Sequence, residues 1–423
     1  MRYHIISYGC QMNTADSEEM AQPLKNHGLT ATADPAQANV ILMNTCTVRD
    51  QAEHRADSNL GRLREWKAAD PNRILIVAGC AASRWGDSIK KKYPFIDLVS
   101  PATKIEEFPE AVAAVMKERW NWGAETHEAF SRNGEPEKRG NGETDPPTIP
   151  HSPFPHFSDS NPFGDDHTAY VTIMRGCNLN CSYCIVPSVR GREKYRPMPE
   201  ILREIEQKAR EGYREVMLLG QTVNSYYYRE LLSDSAIKLS GNGSNPQSPN
   251  HSITQSLTHA YDFADLLRAV NAVDGIDRIR FMSPHPKHMR PRVIQAIADC
   301  TKVARHVHLP LQSGSDRILA SMKRLYTRAE YADIVKQLKA AVPGLIVTTD
   351  IIVGYPGETD AEFTDTLAFL ESIRFEGLFA FKYSPRPGTA SADLTDDVPD
   401  SEKEVRLQRV LALNKQIQGS QAA

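Results

Sequence analysis

Along the first 120 residues, short apolar runs alternate with stretches of helical periodicity. The runs 3–8 (YHIISY), 40–43 (VILM) and 73–78 (RILIVA) have the length and aliphatic content of strands, and strands interleaved with helices predict an α/β domain on a mainly parallel sheet. Six further runs follow downstream, at 169–174, 215–219, 278–281, 305–309, 345–353 and 378–383. Helical patterns separate them; in 200–211, for example, Ile201, Leu202, Ile205 and Ala209 share one face. Six successive β-then-α units predict a (β/α)6 partial TIM barrel. The fold class is therefore α/β, an amino-terminal parallel-sheet domain followed by the partial barrel.

Polar stretches divide the chain. Residues 121–167 shift to Gly, Pro, Asn, Ser and charged side chains, which cannot bury much apolar surface and read as an extended linker. A second such stretch, 229–260, reads as a disordered surface insertion within the barrel. From 400 to 418 a cap-like Asp-Ser precedes Val405, Leu407, Val410, Leu411, Leu413 and Ile417, the pattern of one closing amphipathic helix. The expected organisation is thus 1–120, a linker 121–167, a barrel 168–390 carrying the insertion 229–260, and 391–423 as a carboxyl-terminal helix.

A chain of 423 residues exceeds what one core usually organises and leaves room for an enzyme. A formal charge of -3 supplies no basic field that would announce a nucleic-acid partner from composition alone. No window has the roughly 18 apolar residues of a bilayer span, and the start MRYHIISYGCQMN lacks the layout of a signal peptide. The expectation is a cytoplasmic protein that meets no membrane. Seven cysteines in that compartment point to metal ligation or catalysis rather than disulfides.

The run RGCNLNCSYCIVP sets Cys177, Cys181 and Cys184 at C-x3-C-x2-C spacing directly after a strand. Three thiolates on one loop can hold three irons of a cubane, where an electron-transfer cluster of this type uses four cysteines. The fourth iron is left open, the mark of a catalytic site. The loop resembles that of the radical S-adenosylmethionine (SAM) superfamily, in which SAM takes the open position and is cleaved homolytically. A zinc knuckle would need a fourth ligand close by, but the next His after Cys184 is His251. Tyr183 could pack on adenine or act as a hydrophobic plug. Cys10, Cys46 and Cys80 each follow one of the first three strand runs, so that positions 36 and 34 residues apart could converge beyond the strand ends. Isolated cysteines are also common core residues, but the contexts GCQMN, NTCTVR and GCAAS look like loops. Cys300 reads as structural.

The segments SYGCQMNTADSE, NTCTVR, AGC, GCNLNCSYCIVPSVRGRE, GQTVNSY, HLPLQSGSD and DIIVGYPGET resemble the MiaB-type tRNA methylthiotransferases of the radical SAM methylthiotransferase family, over a match running from residue 1 to about 390. The resemblance implies two [4Fe-4S] clusters and SAM. One cluster would sit on Cys177, Cys181 and Cys184 and generate the radical; an auxiliary cluster on Cys10, Cys46 and Cys80 would serve sulfur insertion. It also implies conversion of N6-isopentenyl-adenosine beside the anticodon to its 2-methylthio form, an electron donor such as a flavodoxin-type reductant, a sulfur source the sequence does not identify, and a monomer. Gly220, Gln221, Gln312, Ser313 and Asp350 look similar to family segments lining the SAM pocket; glycine turns and strand-terminal polar residues are ordinary in barrels as well.

His306 and His308 face one side of a strand, as a metal pair or as a packed, hydrogen-bonded one. Arg190, Arg192, Lys194 and Arg196 form a basic loop that could meet tRNA phosphates or simply be solvated. The sequence departs from the family in lacking the expected β-rich TRAM module after about 390, in the length of 229–260, and in reading GQTVN where GQNVN is common. Within the family, the rivals act on an aspartate of a small-subunit ribosomal protein or on threonylcarbamoyl-adenosine in tRNA. From other classes come a two-cluster electron-transfer protein and a zinc-stabilised RNA-binding module.

Overall fold

The computed structural model describes residues 1–48, 50–120, 168–231 and 258–421. The predicted linker 121–167, and 232–257 of the predicted insertion, lie outside them. The chain divides into two compact units, one of residues 1–164 together with Ser188–Arg190, the other of 165–187 and 191–423.

The first unit is built on five parallel strands, β1 (Arg2–Ser7), β2 (Thr30–Ala31), β3 (Val40–Thr45), β4 (Ile74–Gly79) and β5 (Leu98–Pro101), in the order β2-β1-β3-β4-β5. Every residue of β3 and β4 is buried, as expected of parallel strands covered on both faces. Alternation assigns their side chains to two cores. Val40, Leu42, Ile74 and Ile76 pack on one face with Leu24, Phe108 and Val112; Ile41, Met43, Leu75 and Val77 pack on the other with Leu60 and Ile89.

In the second unit, β6 (Thr168–Thr172), β9 (Glu215–Leu219) and β12 (Arg278–Phe281) form one parallel sheet. Strands β13 (His306–His308), β14 (Ile346–Val353) and β15 (Gly377–Lys382) form another, also parallel. A single bridge, Ile279 to Val303, continues the order from β12 toward β13. Helices Met198–Arg210, Phe263–Asn271, Pro291–Asp299, Arg328–Ala341, Asp360–Ile373 and Asp400–Gln421 follow the six strands in turn. This is the expected run of six β/α units. Their inward faces share one core, with Ile201, Ile205, Leu266, Ile297, Val335 and Leu370 packed on the strands. Cys300 caps the helix Pro291–Asp299 inside that core.

Two short ribbons were not foreseen. Strand β7 (Met174–Arg175) pairs antiparallel with β8 (Lys194–Tyr195), closing the cysteine loop at its base. Strand β10 (Tyr227–Leu231) pairs antiparallel with β11 (Thr258–Asp262), in register from Tyr227 opposite Asp262 to Leu231 opposite Thr258. The expectation of a disordered insertion over 229–260 therefore fails at both ends: these residues form the rungs of a ladder, and Tyr228 stacks on Tyr261 across it with ring centroids 6.3 Å apart.

Candidate functional site

In the first unit the three cysteines stand at the carboxyl ends of adjacent strands. Cys10 is the N-cap of the helix Gln11–Asn26 after β1; Cys46 follows β3; Cys80 opens the helix Cys80–Trp85 after β4. The loop-like contexts read from the sequence prove tighter than that, since Cys46 and Cys80 are each only 1% exposed. Polar side chains pin the strand ends together. Asn13 donates from Nδ2 to the Thr45 carbonyl at 3.0 Å, Asn44 returns a bond to the Asn13 carbonyl at 2.8 Å, and Thr45 Oγ1 donates to the Ala78 carbonyl at 2.6 Å. Gly9 has φ of 123°, and a Cβ there would come within 2.6 Å of Cys46 Cβ, so the turn carrying Cys10 approaches Cys46 as only glycine permits.

Arg190 belongs to this unit, and the expectation of a phosphate-binding arginine fails for it. The side chain is 4% exposed, its Nη2 donates to Asp16 at 2.8 Å, and its Nε donates to Cys80 Sγ at 3.1 Å. Arg196 is likewise committed, donating to the Thr172 carbonyl at 2.7 Å and to Glu204 at 2.6 Å. Arg192 and Lys194 remain exposed. Burial pushes the Cys80 thiol up to about 12, against the opposing charge of Arg190.

In the second unit, Cys177, Cys181 and Cys184 lie on the loop between β7 and the short helix Val186–Arg190. Its start is fixed by Gly176, at φ of 78°, whose Cβ would collide with the Arg192 carbonyl, and whose N–H donates to Gln221 Oε1 at 2.5 Å. Cys177 N–H bonds the Gly191 carbonyl at 3.1 Å, and Cys177 Sγ lies 3.2 Å from Thr222 Oγ1. Ser182, between the later cysteines, is held by the Ser321 carbonyl at 2.9 Å and the Tyr355 hydroxyl at 2.8 Å. Arg324 donates from Nη1 to Cys181 Sγ at 3.4 Å and to Tyr183 Oη at 3.3 Å. Tyr183 also packs against the buried group Ile318, Met322, Tyr355 and Tyr383, the surroundings of a plug. Burial pushes the Cys177 thiol up and the Cys184 thiol up to about 12.

Other expected positions fall round the same end of the barrel. Gly220 packs so closely on Met174 that a Cβ there would lie 2.5 Å from Met174 Cγ. Gln312 has φ of 78° and bridges backbone to backbone with β14, through Asp350 and Ile352. Ser313 is fully buried and accepts from the Ser315 N–H at 3.2 Å. Asp350 Oδ2 lies 3.2 Å from His308 Nε2. His306 Nε2 and His308 Nδ1 each lie 3.0 Å from Thr348 Oγ1, which makes them the hydrogen-bonded pair of the two readings. A cleft of about 680 Å³ opens beside the cysteine loop, lined by Leu179, Asn180, Lys287, Lys323 and Tyr326 among others.

Both trios suit an iron-sulfur group. None of the seven cysteines is in a disulfide. A thiol that coordinates a metal is deprotonated outright, so these side chains can serve as thiolate ligands. Among the described residues, no three Cys, His, Asp or Glu side chains close round one ion. Sequence reasoning missed Arg324, Thr222, Asn13 and Asp16; polar residues of this kind become informative only once the fold brings them beside a sulfur.

Comparisons with known proteins place the chain in a family. Residues 171–370 match the radical SAM superfamily, and residues 2–101 match the uncharacterized protein family UPF0004. Three relatives bear the name tRNA-2-methylthio-N(6)-dimethylallyladenosine synthase. That of Sorangium cellulosum is 42% identical, covering 97% of this chain and 76% of the relative. That of Clostridium perfringens is 38% identical, covering 98% and 82%. That of Pseudomonas syringae pv. syringae is 40% identical, covering 96% and 81%. Among solved structures, the radical SAM methyltransferase TsrM from Kitasatospora setae, with cobalamin and a [4Fe-4S] cluster bound, aligns at a TM-score of 0.59 and 13% identity, over 92% of this chain and 76% of that one. The cobalamin-dependent radical enzyme OxsB aligns at 0.52 and 12%, over 98% and 56%. These structural likenesses speak to the fold alone.

Proposed function

The chain belongs to the tRNA-2-methylthio-N(6)-dimethylallyladenosine synthase family, and from that premise we propose how its residues divide the reaction between two cysteine sites. It is a radical SAM methylthiotransferase that uses [4Fe-4S] clusters and SAM, and it converts N6-dimethylallyl-adenosine in tRNA to the 2-methylthio derivative. The relatives' names favour none of the rival substrates.

The target is an aromatic C–H bond, too strong and too weakly acidic for acid-base removal. When bound, the cofactors supply a radical and a sulfur donor; the protein's task is to hold and orient them. Cys177, Cys181 and Cys184 would bind the cluster that meets SAM, on a loop shaped by Gly176 and buttressed by Gln221. Gly220, Gln312, Ser313, Asp350 and Tyr183 would bound the space for SAM at the same end of the barrel. Gly220 and Gln312 do so through backbone, since one has no side chain and the other is held at a left-handed φ. Cys10, Cys46 and Cys80 would bind the auxiliary cluster. Of the basic loop, Arg192 and Lys194 have the exposure to meet tRNA phosphates. A flavodoxin-type donor would supply the electron. The protein would work as a monomer in the cytoplasm, where tRNA is modified.

The observation that carries this division is the presence of two cysteine trios in separate units, one beyond the carboxyl ends of three strands and one on a single loop. The test uses reconstituted full-length protein, SAM, reductant and tRNA carrying dimethylallyl-adenosine. Cys177→Ala, Cys181→Ala or Cys184→Ala abolishes deoxyadenosine formation. Cys10→Ala, Cys46→Ala or Cys80→Ala leaves SAM cleavage in place and stops thiolation of the nucleoside, read by mass. Thiolation that survives the second set overturns the auxiliary assignment.

A further inference from the structure

Arg324 is a buried cation whose partners are unusual. Its guanidinium donates from Nε to Tyr326 Oη at 2.9 Å, from Nη2 to the Pro310 carbonyl at 3.2 Å, and from Nη1 to Tyr183 Oη at 3.3 Å and Cys181 Sγ at 3.4 Å. The residue is 5% exposed, and among the described residues no carboxylate pairs with it. A charge taken out of water without a counter-ion is unfavourable, so the fold that tolerates it is expected to bring an anion close. Among the groups its guanidinium reaches are two phenols, Tyr183 and Tyr326, and one thiol, Cys181, which becomes a thiolate when it binds a metal.

The backbone points the same way. Lys323 and Leu325, the residues on either side of Arg324, both adopt left-handed φ, at 56° and 62°. Neither is a glycine, so both conformations are strained, and Leu325 is left 56% exposed in the process. The turn thus accepts two unfavourable conformations and an exposed leucine while its central residue points inward at the cysteine loop. His285, in ring contact with Tyr326, is buried beside this group.

We propose that Arg324 is a positioning residue for the radical-generating site: its guanidinium sets a fixed positive charge against the Cys181 sulfur and thereby favours the one-electron-reduced, more negative state of the iron-sulfur group held there. The inference rests on the assignment of Cys181 as a ligand. Net charge and hydrogen bonds to sulfur are established levers on cluster potential. A donor and a cation on one of three ligating sulfurs lowers the demand placed on the external one-electron donor.

The experiment is a reductive titration of reconstituted full-length protein with low-potential dyes, following by electron paramagnetic resonance the signal that changes when SAM is added. Arg324→Gln is expected to retain iron and shift the midpoint of that signal to more negative potential, with slower deoxyadenosine formation at fixed reductant. Arg324→Lys, which keeps the charge, is expected to return the midpoint most of the way. An unchanged midpoint in an iron-loaded R324Q overturns the proposal. Should R324Q fail to hold iron, R324K with wild-type midpoint supports a need for the charge, and loss of iron from both variants overturns the proposal by reducing Arg324 to a loop clip. Cys181→Ala is the separate control: a SAM-responsive signal that survives it, or its absence from the unmutated protein, removes the ligand assignment itself.

Discussion

At the scale of single residues, the barrel carries a buried histidine with a clear pH signature. His285 accepts the Lys287 N–H at its Nδ1 at 3.2 Å, which leaves the hydrogen on Nε2, and that nitrogen has no partner among the described residues. Burial, followed by the charges of Arg324, His288 and Lys287, pushes its pKa down to about 2. The unfolded chain takes up this proton near the ordinary value of about 6.5, while the folded chain does not. Stability from this group is therefore complete above that pH and declines as pH falls toward the folded value. Between pH 7 and pH 5 the loss is about 2 kcal/mol. His285→Gln should flatten the fall in stability by about that amount in urea unfolding followed by circular dichroism; an identical pH slope in both proteins would refute the argument.

At the scale of elements, the closing helix Asp400–Gln421 is tied to the barrel by a buried ion pair rather than by apolar contact alone. Arg406 Nη1 donates to Glu358 Oε2 at 2.9 Å, with side chains 4% and 1% exposed, and Glu358 also accepts the Gly354 N–H at 2.7 Å. Burial raises the Glu358 carboxyl, and Arg406 works against that rise. Removing one partner strands the other. Arg406→Ala should cost about 3–5 kcal/mol, whereas the double change Arg406→Met with Glu358→Gln should recover much of the loss. Thermal melts of both variants check this, and a single variant within about 1 kcal/mol of the parent would sink it.

The elements also show what a sequence can and cannot disclose. All six barrel strands were legible as short runs with apolar residues set between stretches of helical periodicity. The hydrophobic runs of β3 and β4 were legible for the same reason. The ribbon β10–β11 was not, because YYREL and THAYD mix aromatic with charged and polar residues without the alternation that marks a strand, and their ladder pairs them chiefly with each other. Arg190 was misread because the acid that buries it, Asp16, is 174 positions away in the chain, and an arginine in a basic run looks solvated until its partner is known. The cysteines were legible from spacing and from their strand-end positions; the arginines beside two of them were not, since a contact to sulfur leaves no local pattern.

At the scale of the molecule, two compact units each present three cysteines, one trio beyond the ends of three strands and the other on one loop, which makes the sites separable by mutation. Reconstituted protein should bind about eight irons, two cubanes of four, and removal of either trio should halve that number to about four. Colorimetric iron and sulfide assays on the two triple variants and on the sixfold variant check the sum. Loss of all iron on removal of Cys10, Cys46 and Cys80 would mean that the sites are not independent.

The ladder that sets Leu231 opposite Thr258 has one more consequence. Because both ends of the intervening chain leave the barrel from neighbouring rungs, its length is decoupled from the spacing of the β/α units. The rungs act as a socket: chain can be lengthened or shortened there across related enzymes while the strands before and after keep their register, so variation at this point says little about the chemistry at the barrel's mouth.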